Sequence, residues 1–104
     1  MPRNRALGVA TVAILKAILE GHRFGLDIME QTGLPSGTVY PTLARMEQRA
    51  YLESEWEDQG VAKEAGRPAR RYYSVTADGA RALNEALERL AALAGVQPRI
   101  AGDG

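Results

Sequence analysis

The 104-residue chain contains no cysteine, which excludes disulfides and thiolate metal sites and leaves nothing that calls for an oxidising compartment. Histidine is almost as scarce. His22 stands alone, so one chain cannot assemble a multi-histidine metal centre, and the residue reads as part of a turn near a helix end. Net charge is missing too, because 13 basic and 13 acidic residues cancel. There is no glycine-rich phosphate loop and no carboxylate pair isolated in an apolar setting. With those absences the chain is read as a non-enzyme that needs no cofactor and no metal.

A long hydrophobic run is also lacking. The opening "PRNR" followed by "ALGVATVAIL" resembles a secretory leader, but Lys16 and Glu20 interrupt the continuation and no small-residue cleavage site follows. The run is too short to span a bilayer. The expectation is a cytoplasmic protein without a membrane partner. A length of 104 residues, 45% apolar and 25% charged, is that of one ordinary globular domain with a modest core.

What is present is uneven charge. Arg3 and Arg5 open the chain without an acidic neighbour, and residues 60–75 hold Lys63, Arg67, Arg70 and Arg71 against Glu64 alone. The acids gather in Glu53, Glu55, Glu57 and Asp58. Clustered cations matter more for a nucleic-acid partner than the sum of charges.

Apolar periodicity supplies the elements. Residues 6–20 carry Leu7, Val9, Val12, Ile14, Leu15, Ile18 and Leu19 around nearly the whole helical wheel, so this helix needs cover on more than one side. In so small a domain the second cover is expected to be another subunit. A short helix follows over 25–32, ending at Gly33, and "GLPSG" forms a tight turn. The next helix, 36–49, aligns Val39, Leu43, Met46 and Ala50 in one stripe, with Thr38, Thr42, Arg45 and Arg49 on a flank and Gly37, Tyr40, Ala44 and Gln48 outward. The period then changes to two in "YLESEWE" and "RRYYSVT", with Leu52 and Trp56 on one face and Tyr73 and Val75 inward. Between them "DQGVAKEAGRPA" is too long for a tight hairpin and reads as a basic loop. Thr76 caps a last helix, 77–94, striped by Leu83, Leu87, Leu90 and Ala94, and "VQPRIAGDG" reads as a frayed tail.

Helix, helix, helix, strand, wing, strand, helix describes a mostly α fold with a small β-hairpin: a winged helix-turn-helix with a C-terminal dimerisation helix. The expected division is 1–75 for the DNA-binding unit, 76–95 for the dimerisation helix and 96–104 for the tail. In this arrangement the third helix enters a DNA groove. That helix contains Pro41, which costs roughly 3 kcal/mol in a helix interior. The cost is small if the helix begins near Thr38. If it begins at Ser36, Pro41 removes one bond from the second turn. In either case the N–H groups around Gly37, Thr38 and Val39 suit a phosphate, and the proline ring could rest on a thymine methyl.

The stretches "FGLDIMEQTGLPSGTVYPTLARMEQRAYLESEWED" and "GRPARRYYSVTADGARAL" resemble the PadR family of bacterial transcriptional regulators, named for repressors of phenolic-acid decarboxylase genes. The resemblance covers roughly residues 7–90. It implies a dimeric winged-helix repressor acting on a pseudo-palindromic operator in double-stranded DNA, released in some members by a small aromatic or drug-like effector held at the dimer interface. Ser36, Gly37, Thr38, Tyr40 and Pro41 match the family's DNA-contacting stretch, and Arg67, Arg70 and Arg71 its basic wing. Two departures stand out: Ala50 replaces the usual glycine at a helix end, and the chain stops after one C-terminal helix.

The residue-level expectations are therefore DNA contact by Ser36, Gly37, Thr38, Tyr40, Pro41, Thr42, Arg45, Lys63, Arg67 and Arg70, and dimerisation through Leu7, Val12, Leu83, Leu87 and Leu90. Blander readings stand beside them. Arg70 and Arg71 could pair across the strands with Glu55 or Glu57, Arg49 could be a solvated helix-end residue, and Trp56 could pack the wing base. The competing function is a winged helix used for protein contacts alone.

Overall fold

Ile14, Leu15 and Ile28 are completely buried, and the fold is built outward from them. The computed structural model describes residues 7–95. Its order is α1 (Val9–Leu19), α2 (Gly25–Thr32), α3 (Ser36–Gln48), β1 (Leu52–Trp56), α4 (Gln59–Glu64), β2 (Arg71–Val75) and α5 (Ala77–Leu93). Arg3, Arg5 and the tail 96–104 lie outside the described residues.

α1 is the hub. Its Val12, Ile14, Leu15 and Ile18 join Ile28 of α2, Val39, Leu43 and Met46 of α3, Leu52, Tyr73, Leu83 and Ala86 in one core. The all-round apolarity of α1 is thus met largely within the chain, by α2, α3, β2 and α5. The expectation that a second subunit supplies this cover is corrected: only Val9 and Leu19 of α1 remain as exposed large apolar residues. Val12 and Leu83, expected at a dimer interface, are core residues for the same reason. Leu7 is half-buried and packs against the core. Leu87 and Leu90 stay exposed on α5, with Leu93 beyond them.

The hairpin is antiparallel, pairing Leu52 with Val75, Ser54 with Tyr73 and Trp56 with Arg71. Alternation puts these three pairs on one face. At the core end of that face Leu52 is 1% exposed, whereas at the far end Trp56 is 63% exposed. Trp56 therefore shares a face with Leu52 as expected but does not pack the wing base. The loop reading of 58–69 is also corrected, because α4 lies inside it. Asp58, read only as a charge, caps α4 by accepting from the N–H groups of Gly60 (2.7 Å) and Val61 (3.3 Å).

Two joints hold the ends of α3 and α5. After α3, the N–H of Tyr51 donates to Met46 O at 2.9 Å and that of Ala50 to Glu47 O at 3.0 Å, a Schellman closure. It requires Ala50 to sit in the left-handed region at φ 62°, where glycine is at ease and alanine is strained. Thr76 then links the two helices. Its hydroxyl donates to Ala50 O at 2.7 Å and accepts from Gly79 N–H at 3.0 Å. Gly79 lies so close to the carbonyl oxygen of Tyr51 that a methyl group there would overlap it.

Candidate nucleic-acid interface

α3 begins at Ser36, so Pro41 falls in its second turn and takes one bond out of the ladder, the costlier of the two alternatives. Ahead of it, Pro35 O accepts from the N–H groups of Thr38 (2.9 Å) and Val39 (3.0 Å). Those two donors are spent, which narrows the free helix-end N–H groups to Ser36 and Gly37. Ser36, Gly37, Tyr40, Pro41, Ala44, Arg45 and Gln48 are exposed, and Thr38 is half-buried.

Thr42 is 2% exposed, so its expected DNA contact is withdrawn. The reason lies in helical spacing. Thr42 follows Val39 by three residues and precedes Met46 by four, which turns it into the body along with them. The flank of Thr38, Thr42, Arg45 and Arg49 lines a shallow hollow against the start of α1. Thr42 still has a task there, because its hydroxyl accepts from Arg45 Nη2 at 3.1 Å and steadies that guanidinium along the helix. Tyr40, 46% exposed, leans its ring on Gly25, where any side chain would collide with it. A buried glycine at the start of α2 thereby sets the direction of a tyrosine on α3.

The wing is held by arginines. Arg67 forks onto Glu57 with Nη1–Oε1 at 2.6 Å and Nη2–Oε2 at 3.0 Å, and the backbone N–H of Arg70 adds a bond to the same carboxylate at 3.2 Å. The Arg67 hydrogen bonds, aided by that N–H and outweighing the effect of burial, hold the Glu57 carboxyl at about 2 against an ordinary 4.5. Arg67 is consequently occupied within the wing. Arg71 donates to Ser54 Oγ at 2.9 Å and to Glu47 Oε1 at 3.1 Å, while Ser54 Oγ donates to Glu47 Oε2 at 2.6 Å. This trio ties β1 and β2 to the last turns of α3. Neither Arg70 nor Arg71 forms a side-chain ion pair with Glu55 or Glu57: Arg70 meets Glu57 through its backbone N–H, and Arg71 reaches back to the helix.

The outer side of β2 is locked to the α1–α2 junction. Tyr73 N–H donates to Arg23 O at 2.8 Å, and Arg23 Nε returns a bond to Tyr73 O at 2.9 Å. The Arg70 guanidinium lies 4.0 Å from the centre of the Phe24 ring, which meets Tyr72 edge-on at 5.7 Å. Burial pushes the phenol of Tyr73 above its ordinary value. Lys63 is exposed on α4. Sequence reasoning missed Glu47, Phe24 and the joint made by Arg71. Glu47 was visible as the end of "GTVYPTLARME" within the first stretch that carries the family resemblance, but spacing along one helix does not reveal a partner on a strand.

An outward helix start beside an arginine-held hairpin is the arrangement of a winged helix, and the sequence profile of the transcriptional regulator PadR-like family matches residues 14–85. The chain belongs to the PadR-like family. Among solved structures, a PadR family regulator from hypervirulent Clostridium difficile R20291 superposes with TM-score 0.74 at 22% identity, over 85% of this chain and 93% of that one. A PadR family regulator from Eggerthella lenta DSM 2243 gives 0.69 at 24%, over 82% and 74%. BpsR of Bordetella bronchiseptica, whose DNA binding is regulated by 6-hydroxynicotinic acid, gives 0.71 at 16%, over 88% and 61%. No curated protein matches the sequence. As a PadR-like protein the chain is a DNA-binding transcriptional regulator and not an enzyme. Among the described residues no helix is long and apolar enough to cross a membrane.

Proposed function

We propose that this PadR-like regulator is a homodimeric repressor that places the start of α3 in the major groove of a pseudo-palindromic operator. The observation that carries this reading is the bare outward face of α3: Ser36, Gly37, Tyr40, Pro41 and Arg45 are exposed together beside a wing in which Arg67 and Arg71 are paired and Lys63 is exposed. Ser36 and Gly37 N–H groups and the Tyr40 hydroxyl suit phosphate, which positions the helix without choosing a sequence. Thr38, half-buried, contributes at the same helix end. Pro41 offers its ring to an apolar base edge. Arg45, steadied by Thr42, is the base reader, because its remaining guanidinium donors can meet a guanine in pairs. On the wing, Lys63 and Arg70 supply phosphate contacts, and Arg67 shapes the wing through Glu57.

In this reading residues 1–75 form the DNA-binding unit and 76–95 the dimerisation helix. The dimer face comprises Leu87, Leu90 and Leu93 of α5 with Val9 of α1, all exposed in one chain and worth roughly 25 cal/mol per Å² when covered. Half-sites then lie about one turn apart, roughly 34 Å, or a multiple of it. A small aromatic or drug-like effector that releases the operator completes the proposal. Gel shifts with the DNA upstream of its own gene test the reading: a retarded band that weakens with salt is expected. Absence of any shift at low salt would leave the fold serving protein contacts alone. Changing Leu87 and Leu90 together to Glu should abolish the dimer in sedimentation.

A further inference from the structure

The inner end of the hairpin joins the helix proposed to enter DNA to the helix proposed to pair two chains. α3 and α5 both lie against α1, with Leu43, Met46, Leu83 and Ala86 in one core. That contact is apolar and therefore non-directional, and helices packed in this way slide past one another. The direct tie between α3 and α5 is polar. Among the described residues, the hydrogen bonds from the end of α3 to the start of α5 all meet at Thr76. Its hydroxyl donates to Ala50 O at 2.7 Å and accepts from Gly79 N–H at 3.0 Å, and its backbone N–H donates to Tyr51 O at 3.0 Å. Gly79 is buried against that same Tyr51 oxygen, which a side chain would overlap.

Hydrogen bonds weaken steeply off their axis, so this cluster fixes an angle where burial fixes only proximity. The angle has a long lever. α5 runs from the joint to the exposed Leu87 and Leu90, roughly 16–21 Å away at 1.5 Å per residue. Turning α5 by about 10° about the joint moves those leucines by roughly 3–4 Å, close to the 3.4 Å rise of one base pair. A two-fold dimer carries the same error in both subunits, which doubles it at the DNA. Half-sites must match the dimer in distance and in helical phase, so the setting of this joint decides which separations fit.

We propose that Thr76 and Gly79 are positioning residues that set the separation of half-sites this regulator accepts. Thr76 holds the angle of α5 against the end of α3, and Gly79 lets the first turn of α5 sit directly on the Tyr51 carbonyl. Both act through the two helices, without a contact to DNA of their own. The proposal rests on the homodimer and DNA-binding reading above and deepens it. α3 chooses the bases, and the joint chooses the distance between the two places where they are read.

Substitution separates the two bonds of the Thr76 hydroxyl. Thr76→Asp keeps an acceptor for Gly79 N–H, so α5 stays capped, but a carboxylate has no proton to give Ala50 O. Thr76→Ser keeps both bonds. The full chain selects duplexes from a pool of random sequence, and the bound sequences are read for the separation of inverted half-sites. Wild type should select one separation, and one base pair inserted at its centre should weaken binding about tenfold or more. Thr76→Asp should recognise the same half-site sequence but accept neighbouring separations, the loss on insertion falling to about threefold or less. Thr76→Ser should keep the wild-type loss. Ile28→Val, a core change on α2 away from the joint, lowers stability and should leave that loss unchanged. Circular dichroism verifies folding, and Thr76→Val, which lacks both bonds, replaces Thr76→Asp if the carboxylate prevents it. The wild-type loss in Thr76→Asp or its replacement, or an equally relaxed separation in Ile28→Val, overturns the proposal. Failure of the underlying reading shows differently: wild type then selects lone half-sites or no sequence at all, and the proposal falls with it.

Discussion

The helical body and the wing of this regulator are held by different forces. In the body Ile14, Leu15, Ile28, Val39 and Leu43 are fully buried, and their positions follow from helical spacing. In the wing the fasteners are polar: Arg67 on Glu57, Arg71 on Glu47 and Ser54, and Arg70 on Phe24. Apolar burial is non-directional and additive with area, so it fixes the body at large cost to any truncation. Paired charges near the surface add little stability but hold direction well through bidentate geometry. The comparison teaches that stability and the aim of the DNA-facing surface are carried by separate residues.

Breaking each region should therefore read out differently. Leu43→Ala should cost about 2–5 kcal/mol in denaturant unfolding, from lost burial and the cavity left behind. Arg71→Ala should cost no more than about 1 kcal/mol in the same assay, since its partners are half-exposed. Arg71→Ala should still weaken duplex binding, on operator and scrambled DNA alike, because the wing loses its tie to α3. Equal unfolding costs would erase the distinction.

A smaller effect of opposite sign sharpens the picture of the body. Ala50 holds φ 62° to close α3, so Ala50→Gly should raise stability by about 1 kcal/mol, less the added chain entropy of glycine. Thermal unfolding checks this; a lower melting temperature would show that the left-handed alanine carries no strain.

The smallest change is expected from mild acid. The Glu57 carboxyl is held down to about 2 from 4.5, so its contribution to stability is full above 4.5, declines progressively below it and is gone once pH has fallen through the folded value. Trp56, next to Glu57 at the end of β1, should keep its emission as pH passes 4.5 and change only as pH nears 2. Glu57→Gln should lose the clasp at every pH.

Much of the body was legible from sequence because its signal is periodic. The span 25–32 of α2, the stripe of Val39, Leu43 and Met46, and the change of period at the strands all follow from which residues must leave water. The family resemblance, the winged-helix fold and the regulator function are upheld by the family match and the solved structures. Where reading failed, the cause was geometry across elements. Thr42 looked like a flank residue until its neighbours showed that the flank faces α1. Val12 and Leu83 look equally apolar whether they meet their own chain or another. The short α4 carries too few residues to show a period, and only Asp58 as a cap hints at it. Arg67 reads as a free cation, and Arg71 as a wing cation or a cross-strand partner of Glu55 or Glu57, because spacing along the chain does not show that Glu57 clasps Arg67 and Glu47 meets Arg71.

The central claim is that α3 chooses the sequence while the wing adds charge. The direct measurement is a competition titration of wild type, Arg45→Ala and Lys63→Ala on operator and scrambled duplexes across a series of salt concentrations. Arg45→Ala should lose about 1–3 kcal/mol on the operator and almost nothing on scrambled DNA. Lys63→Ala should weaken both duplexes alike and reduce the slope of log K against log salt by about 0.9 per subunit. Wild-type affinity and slope in both variants would contradict the account.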